Sequence, residues 1–147
     1  MKEPEQREDL RHWIGRDRFA ELIGIDLVEV RPGWAKATLA IDERHQNGFG
    51  MTQGGAVFTL ADLAFAAASN SHGIPAVAIS VNIFFLKATT SGSILTAEAR
   101  ELSRNPKLAV YQVDVHDQNL ERVASFQGMV YRKRPSKGHP SRPNERP

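Results

Sequence analysis

One carboxylate stands alone in an apolar segment of the sequence. Asp62 is the single ionisable side chain within residues 54–70, a stretch that is rich in alanine and free of proline. A buried carboxylate is costly unless partners compensate its charge. Two interpretations are open. Asp62 is either a strut that hydrogen-bonds a nearby hydroxyl or amide, or a general base or nucleophile whose pKa is raised by burial.

Two glycines open the same segment, eight residues before Asp62. The first N–H groups of a helix have no intrahelical acceptor, and glycine lets a ligand approach them closely. The amides of Gly54 and Gly55 therefore suit a polarised carbonyl or an oxyanion. Eight helical residues span about 12 Å, too far for Gly54 and Asp62 of one chain to hold one carbonyl group. Either the substrate spans them, or, as we favour, a second subunit of a homodimer supplies Asp62.

The elements that would position these residues predict an α+β fold. Residues 54–70 are apolar on nearly every side, which predicts one long helix that is buried on most sides. Residues 42–53, which precede it, are predicted to form a functional loop. Alternating or β-branched stretches predict six strands, at residues 25–30, 34–41, 76–88, 94–102, 108–115 and 123–131. This order predicts an antiparallel sheet wrapped around the single helix.

Length, composition and charge exclude several classes of function. The chain has 147 residues, the size of one domain, and contains no cysteine for a disulfide or a thiolate metal site. No apolar run is long enough to cross a membrane. The net charge is +2, but residues 132–147 hold six of the 19 basic side chains and one of the 17 acidic ones. Residues 1–131 are therefore mildly acidic, which argues against nucleic acid as a partner.

The same features divide the chain into three parts. We predict an N-terminal helical segment at residues 1–17, a main domain at residues 18–133 and a disordered tail at residues 134–147. The tail is basic and rich in proline, and it has no large apolar side chain with which to form a core. The acidic N-terminus does not look like a signal peptide. We therefore expect a cytoplasmic protein without a membrane partner.

The loop and the long helix together resemble a known family. The sequence HQNGFGMTQGG at residues 45–55, followed by LADLAF at residues 60–65, is similar to the signature of hotdog-fold acyl-CoA thioesterases of the phenylacetic acid degradation (PaaI-like) type. Residues 79–88 resemble the family's strand after the helix, and the likeness extends over residues 18–133. It implies a hotdog fold, with an antiparallel sheet around one long helix. It also implies hydrolysis of aryl-acetyl or medium-chain acyl-CoA thioesters.

The resemblance implies roles for individual residues. Asp62 would be the catalytic carboxylate, as general base or nucleophile, and Gly54 would donate its N–H to the thioester carbonyl. Asn47 would orient substrate or water. Two subunits would complete each site, with their sheets joined into one, and such dimers commonly pair into homotetramers. No metal and no cofactor beyond the coenzyme A of the substrate would be used.

The sequence departs from the family pattern before the glycine pair, where Gln53 replaces the usual histidine. A glutamine amide can donate a hydrogen bond to a carbonyl, but it does not titrate near pH 7. We expect Gln53 to serve as a hydrogen-bonding neighbour of the substrate. If the histidine instead assists proton transfer, activity would be lower or differently dependent on pH. His45 and His72 lack metal-ligand spacing and are predicted to be solvated loop residues.

Further residues are candidates for contacts with the substrate and the phosphates of coenzyme A. They open the helix, flank its end, or lie on the following strands and turns: Gly55, Asn70, Ser71, Asn82, Lys87, Arg104 and Lys107. We favour the turn from Arg104 to Lys107 for the phosphates. Phe58 and Phe65 either line the acyl pocket or belong to the core.

Two other functions stay open at this point. A non-hydrolytic acyl-CoA-binding or regulatory protein could share the fold, although the sequence offers no helix-turn-helix for contact with DNA. A hydratase or dehydratase would need a histidine that works with the carboxylate, and the helix contains none. We therefore rank the hydratase last.

Overall fold

The computed structural model describes residues 12–14 and 16–133, so the predicted tail and most of the predicted N-terminal segment lie outside the described residues. The elements are α1 (Arg18–Ile23), β1 (Asp26–Arg31), β2 (Trp34–Ala40), a 3-10 turn (Glu43–His45), α2 (Gly54–Asn70), β3 (Ala76–Phe85), β4 (Ile94–Arg104), β5 (Leu108–His116) and β6 (Arg122–Arg132). This order confirms the predicted α+β class. The strand ends differ from the predicted ones by three residues at most.

The six strands form one antiparallel sheet in the order β1-β2-β4-β5-β6-β3. Strand β3 therefore lies at an edge, where it pairs with β6 on one side. Among the described residues, no strand pairs with its other side. None of its ten residues is buried. The sheet thus ends in a long edge strand that is open to another chain.

Helix α2 lies against the sheet and packs mainly on β2, β4 and β5. The strand residues that face it alternate along each strand, and many of them are small: Ala35, Ala37, Ala97 and Ala99 are fully buried. Small side chains let a helix approach a sheet closely. The alanine-rich helix can therefore bury most of its circumference, as its composition predicts.

An aromatic cluster packs between the helix and strands β5 and β6. The ring centroid of Phe65 lies 5.8 Å from that of Tyr111 and 5.4 Å from that of Phe126. Phe58 is partly buried, with its ring 5.6 Å from Phe126. Gly128 makes room for Phe65, since a Cβ at Gly128 would lie 2.6 Å from the Phe65 Cζ. Of the two predicted positions for Phe65, the core is the one observed.

The prediction that the two histidines are solvated is wrong. His45 is 3% exposed, and its ring accepts a hydrogen bond from the N–H of Asp42 at 2.9 Å through Nδ1. Its Nε2 lies 2.6 Å from the carbonyl oxygen of Ile23. Nε2 of His72 lies 2.6 Å from the carboxylate of Glu101. The bond with Asp42 is local, since it caps the 3-10 turn, but the contacts with Ile23 and Glu101 join separate elements, which local spacing could not reveal.

Candidate active site

The first turn of α2 presents one unoccupied backbone donor. Gln53 caps the helix, and its side-chain Oε1 accepts a hydrogen bond of 2.7 Å from the N–H of Gly55. The N–H of Ala56 donates to the backbone carbonyl of Gln53 at 3.0 Å. Within the described chain, the N–H of Gly54 donates to no acceptor. A ligand can therefore accept a hydrogen bond from Gly54 without displacing a partner.

Glycine is required at position 55 by this cap. A Cβ on Gly55 would lie 2.4 Å from Oε1 of Gln53, far inside contact distance. The same test at Gly54 places a Cβ 3.2 Å from Cζ of Phe85, the far end of an exposed side chain. The two glycines thus have different structural roles. The absence of a side chain at Gly55 lets the Gln53 cap approach the helix, and its absence at Gly54 leaves little beside the free N–H except the Phe85 ring.

The loop before α2 is a tight turn organised by Asn47. Its side-chain Oδ1 accepts hydrogen bonds from the N–H groups of Phe49 at 2.9 Å and Met51 at 3.1 Å. Its backbone N–H donates to the carbonyl of Met51 at 2.6 Å, and its carbonyl accepts from Gly50. Gly50 has a φ of +76°, in the left-handed region that glycine adopts at no cost. The Nδ2 group of Asn47 has no acceptor among residues 12–14 and 16–133, so it is available to a ligand.

An open cleft of about 390 Å³ lies between this turn, the start of α2 and the end of β3. The residues around it are mostly apolar: Asn47, Met51, Thr52, Gly54, Val57, Phe85, Leu86, Lys87, Ala88, Thr89 and Val123. Three of its apolar members, Met51, Phe85 and Leu86, are solvent-exposed. An apolar cleft with a few polar groups has the usual chemistry of a small-molecule site.

Asp62 is half-buried in the third turn of α2 and has no hydrogen-bond or ion-pair partner in the described part of the chain. Burial raises the pKa of its carboxyl group, and the negative charge of Asp17 raises it further. Asp17 caps α1, where its Oδ1 accepts a hydrogen bond from the N–H of Ala20 at 2.9 Å. The strut interpretation of Asp62 therefore finds no partner, and a second carboxylate was missed.

The sequence does contain a signal for one of the two roles of Asp17. An aspartate directly before an amphipathic stretch is a typical helix cap, so the role of Asp17 at the start of α1 could have been predicted. Its effect on Asp62 depends on how α1 packs on α2. Residues that are 45 positions apart in the sequence give no local sign of such a contact.

A single chain does not bring Asp62 and the free amide together. Asp62 lies eight residues along α2 from Gly54, which corresponds to about 12 Å. Asp62 is also absent from the described lining of the cleft, whereas Gly54 and Asn47 are both part of it. One chain therefore holds the donor side of the predicted site, and its carboxylate lies elsewhere on the same helix.

Two predicted contact residues close the far end of α2. The amide of Asn70 donates to the carbonyl of Ala66 at 2.9 Å, and its Oδ1 accepts from the N–H of Ala76 at 2.9 Å. The hydroxyl of Ser71 accepts from the N–H of Gly33 at 2.8 Å. These bonds tie the helix end to the sheet. The side chains are engaged in the fold, at the opposite end of the helix from Gly54.

Two further predicted contacts lie on or after β3. Nζ of Lys87 lies 2.6 Å from Asp117 Oδ2 and also contacts the carboxylate of Glu121. These carboxylates raise the pKa of the Lys87 amine, and they compensate its charge within the chain. Asn82 is exposed on β3, opposite Gln127 in the register of β3 and β6. Lys87 borders the cleft, and Asn82 is not among the described residues that line it.

The two cations of the β4–β5 turn differ in their pairing. Nε of Arg104 lies 3.4 Å from Oε1 of Glu101, so its charge is compensated. Lys107 has no carboxylate within ion-pair distance in the described chain. A groove at this turn shares no described lining residue with the cleft at Gly54; its described lining is Asn105, Pro106, Lys107, Tyr131, Arg132 and Lys133. The structure therefore places the predicted phosphate contacts away from the free amide of the same chain.

Comparison with known proteins identifies the family. Residues 49–124 match the family model described as the thioesterase superfamily. The chain belongs to the thioesterase superfamily. It is 36% identical over 116 residues to the acyl-coenzyme A thioesterase PaaI of Escherichia coli. The aligned residues make up 79% of this chain and 83% of that protein.

Two solved structures illustrate the similarity in fold. The E. coli PaaI protein from the phenylacetic acid degradation operon superposes with a TM-score of 0.83 at 33% identity, over 88% of this chain and 94% of that one. The smu.793 protein of Streptococcus mutans, solved with acetyl CoA bound, has a TM-score of 0.72 at 26% identity, over 75% and 89% of the two chains.

These matches confirm two predictions made from the sequence. The sheet wrapped around one helix is the hotdog fold, and the chain is a thioester hydrolase similar to PaaI. No helix in the described ranges is long and apolar enough to cross a membrane.

Proposed function

We propose that this thioesterase hydrolyses acyl-CoA thioesters to a free acid and coenzyme A. The observation that carries the proposal is the free N–H of Gly54, which opens into an apolar cleft at the start of a buried helix. The activity named for the E. coli relative and the acetyl CoA in the S. mutans structure support it. The apolar side chains of Val57, Phe85 and Leu86 suit an aryl-acetyl or medium-chain acyl group.

The active form in this proposal is a homodimer joined through β3. The open edge of that strand supports it, because unpaired β edges are templates for another strand. Val77, Ile79, Phe84 and Phe85 are between 43% and 59% exposed on it, so the edge presents apolar surface that a second strand could cover. Antiparallel pairing of two β3 strands joins the sheets and reverses one α2 helix relative to the other.

That reversal is what completes the proposed site. With the two helices antiparallel, Asp62 of one subunit faces the Gly54 end of the other, and each dimer contains two sites. We further propose that two dimers form a homotetramer, that the enzyme is cytoplasmic, and that it needs no metal and no cofactor apart from the coenzyme A of the substrate. Dialysis against a chelator tests the metal requirement, with unchanged turnover as the expected result.

The donor side of the site would act on the carbonyl group of the thioester. The N–H of Gly54 points at the oxygen and stabilises the negative charge that develops on it. Because Oε1 of Gln53 is held by Gly55, the Nε2 group of Gln53 is left to donate to the same oxygen. The free Nδ2 group of Asn47 orients the substrate or the attacking water.

Two routes are open to Asp62. As a general base, it takes a proton from water while the water oxygen bonds to the carbonyl carbon; the C–S bond then breaks, and the thiolate of coenzyme A takes the proton back. As a nucleophile, its oxygen bonds to the carbonyl carbon and expels the thiolate, and water hydrolyses the resulting anhydride. A single turnover in H₂¹⁸O distinguishes them, because only the second route can leave the label in Asp62.

Replacing Gly54 tests the function most directly. Gly54→Pro removes the N–H at the first position of the helix, where proline is well tolerated, and Gly54→Ala adds a Cβ but keeps the N–H. With phenylacetyl-CoA and hexanoyl-CoA, we expect thiol release from wild type and Gly54→Ala, and a loss of at least 100-fold in Gly54→Pro. Tight binding of coenzyme A without turnover in wild type would instead favour the non-hydrolytic alternative.

A further inference from the structure

His45 is a buried histidine to which the proposed reaction gives no part. It is 3% exposed, although it lies in the 3-10 turn before α2. Its Nδ1 accepts a hydrogen bond of 2.9 Å from the N–H of Asp42, and its Nε2 lies 2.6 Å from the carbonyl oxygen of Ile23. A carbonyl oxygen can only accept, so Nε2 carries the hydrogen and the ring is neutral. Both ring nitrogens are therefore bonded to backbone groups, and in one tautomer only.

The bond to Ile23 anchors the loop before α2 on helix α1. Ile23 is the last residue of α1, and the last carbonyl groups of a helix have no intrahelical donor. The neighbouring carbonyl of Leu22 accepts from Nη1 of Arg44 at 3.4 Å, but the Arg44 side chain is 63% exposed, so water competes for that contact. The His45 bond is shielded from water. Because α1 packs on α2, His45 fixes the loop relative to the helix that begins at Gly54.

The backbone of His45 holds the other end of the same loop. Its carbonyl accepts a hydrogen bond of 2.7 Å from the N–H of Gln53. Next to this pair, Gln46 and Thr52 form an antiparallel bridge, and the turn of Asn47 is closed between them. We call residues 45–53 the donor loop, because it carries both side-chain donors of the proposed site, Asn47 and Gln53. His45 forms the base of this loop.

Gln53 can act on a substrate oxygen only while its backbone is held in place. Its Oε1 accepts from the N–H of Gly55 at 2.7 Å, and its own N–H is bonded to His45 at the same distance. Together these two bonds determine where its Nε2 group lies beside the N–H of Gly54. Hydrogen bonds weaken steeply with distance and angle, so a displacement of about 1 Å would reduce the stabilisation of the transition state by up to about 100-fold in rate.

We propose that His45 is a positioning residue for the hydrolysis, and that its bond to Ile23 holds the donor loop where Gln53 and Gly54 can donate to the same oxygen. The inference rests on the proposed function, which assigns these two donors to the thioester carbonyl. His45 is not part of the described lining of the cleft, and both of its ring nitrogens are occupied. It therefore acts through Gln53 and does not contact the substrate.

Two substitutions of His45 separate the effects of its two ring bonds. Asparagine places an oxygen where Nδ1 lies, so His45→Asn keeps an acceptor for the N–H of Asp42. The asparagine side chain ends one atom before the position of Nε2, so it cannot reach Ile23. Glutamine places an N–H₂ group at the position of Nε2, so His45→Gln can still donate to Ile23. The difference between the two variants reports the bond to α1.

The matched control is the same substitution in the other histidine that joins two elements. Nε2 of His72 lies 2.6 Å from the carboxylate of Glu101, beyond the last residue of α2 and at the opposite end of the helix from Gly54. His72→Asn should lower the midpoint of urea unfolding but keep the kcat of wild type. A loss of kcat that is equal in His72→Asn and His45→Asn would overturn the proposal, because it would follow from stability alone.

With hexanoyl-CoA, we expect kcat to fall about 10- to 100-fold in His45→Asn, with KM changed less than about threefold. His45→Gln should restore kcat to within about threefold of wild type. In a chain that already carries Gln53→Ala, His45→Asn should lower kcat by less than about threefold more, because the donor it positions is already absent. Independent losses that multiply in the double variant, or an unchanged kcat in His45→Asn, would overturn the proposal.

Two measurements need no turnover. Hydrogen exchange of peptides that cover residues 45–55 should be faster in His45→Asn than in wild type, and unchanged in His45→Gln and His72→Asn. If wild type hydrolyses no acyl-CoA, the proposed function fails, and unchanged exchange in His45→Asn would show separately that the bond does not hold the loop. Ring ¹⁵N NMR of wild type should show the neutral Nε2–H tautomer of His45. The other tautomer would exclude the bond to Ile23, even if no His45 variant folds.

Discussion

Gln53 accepts a hydrogen bond from the N–H of Gly55, two residues further along the chain, at 2.7 Å. This bond satisfies one of the orphan donors of α2 and fixes which end of the Gln53 amide faces the helix. The oxygen faces the helix, so the nitrogen is available beside the free N–H of Gly54. The helix cap and the proposed oxyanion donor are therefore two ends of one side chain.

Gln53→Glu separates these two roles. A glutamate keeps an oxygen for the Gly55 N–H and places a negative charge at the positive end of the helix dipole, but it has no donor for the substrate. We expect stability against urea to be kept or increased and kcat/KM to fall at least 100-fold. Gln53→Ala should lose activity and about 1 kcal/mol of stability together. Full activity in Gln53→Glu would show that Gln53 acts as a cap alone.

Asp62→Asn should be inactive and, near neutral pH, more stable than wild type. Because the folded state raises the pKa of Asp62, its ionisation opposes folding, and stability declines as the pH rises through that folded pKa. Asparagine carries no charge, so the gain should be present at neutral pH and vanish in acid, where Asp62 is protonated. Urea unfolding at several pH values measures this, and hydrolysis should fall at least 100-fold. A less stable variant at neutral pH would reveal a partner for the carboxylate.

Asp17→Asn should move the acid limb of the pH–rate profile. The charge of Asp17 adds to burial in raising the pKa of Asp62, so its removal lowers that pKa, and kcat/KM should rise to its plateau at lower pH. Asparagine is as good a helix cap as aspartate, so α1 should be retained. Glu21→Gln is the matched control, since it removes a charge from the same helix that does not perturb Asp62. An identical shift in both variants would exclude a specific effect of Asp17.

Mixing two inactive variants tests whether the site is shared. Gly54→Pro chains lack the donor and Asp62→Asn chains lack the carboxylate, so a mixed dimer has one complete site and one doubly defective site. After exchange of subunits at equal concentrations, half of the dimers are mixed, and about a quarter of the wild-type activity should return. A site contained within one chain would give no recovery.

The sequence predicted those parts of the molecule whose signals are local. The apolar residues around Asp62 predicted a buried helix, and the glycine pair marked its first turn, because both depend on composition over a few residues. The interaction of Asp17 with Asp62 and the contact of His72 with Glu101 were not predictable. Each joins residues that are 29 or more positions apart, and only the packing of whole elements brings them together.

Charge compensation is a second property that the sequence could not supply. Lys87, Arg104 and Lys107 have the same formal charge, and in the sequence they are equivalent candidates for a phosphate. In the structure two of them have carboxylate partners from elsewhere in the fold, and Lys107 has none among the described residues. The property that marks a candidate for binding phosphate is the charge that remains after the chain's own ion pairs are formed.

If two subunits pair through the open edge of β3, as proposed, protein concentration becomes a determinant of catalysis. An isolated chain would hold only half of each proposed site, so dilution below the dimer dissociation constant should lower the turnover per chain and the melting temperature together. The same edge would be available for pairing with unrelated strands whenever a chain lacks its partner. A lower protein concentration would therefore reduce the total rate of hydrolysis more than in proportion to the number of chains. Assembly soon after synthesis would protect the exposed edge from aggregation.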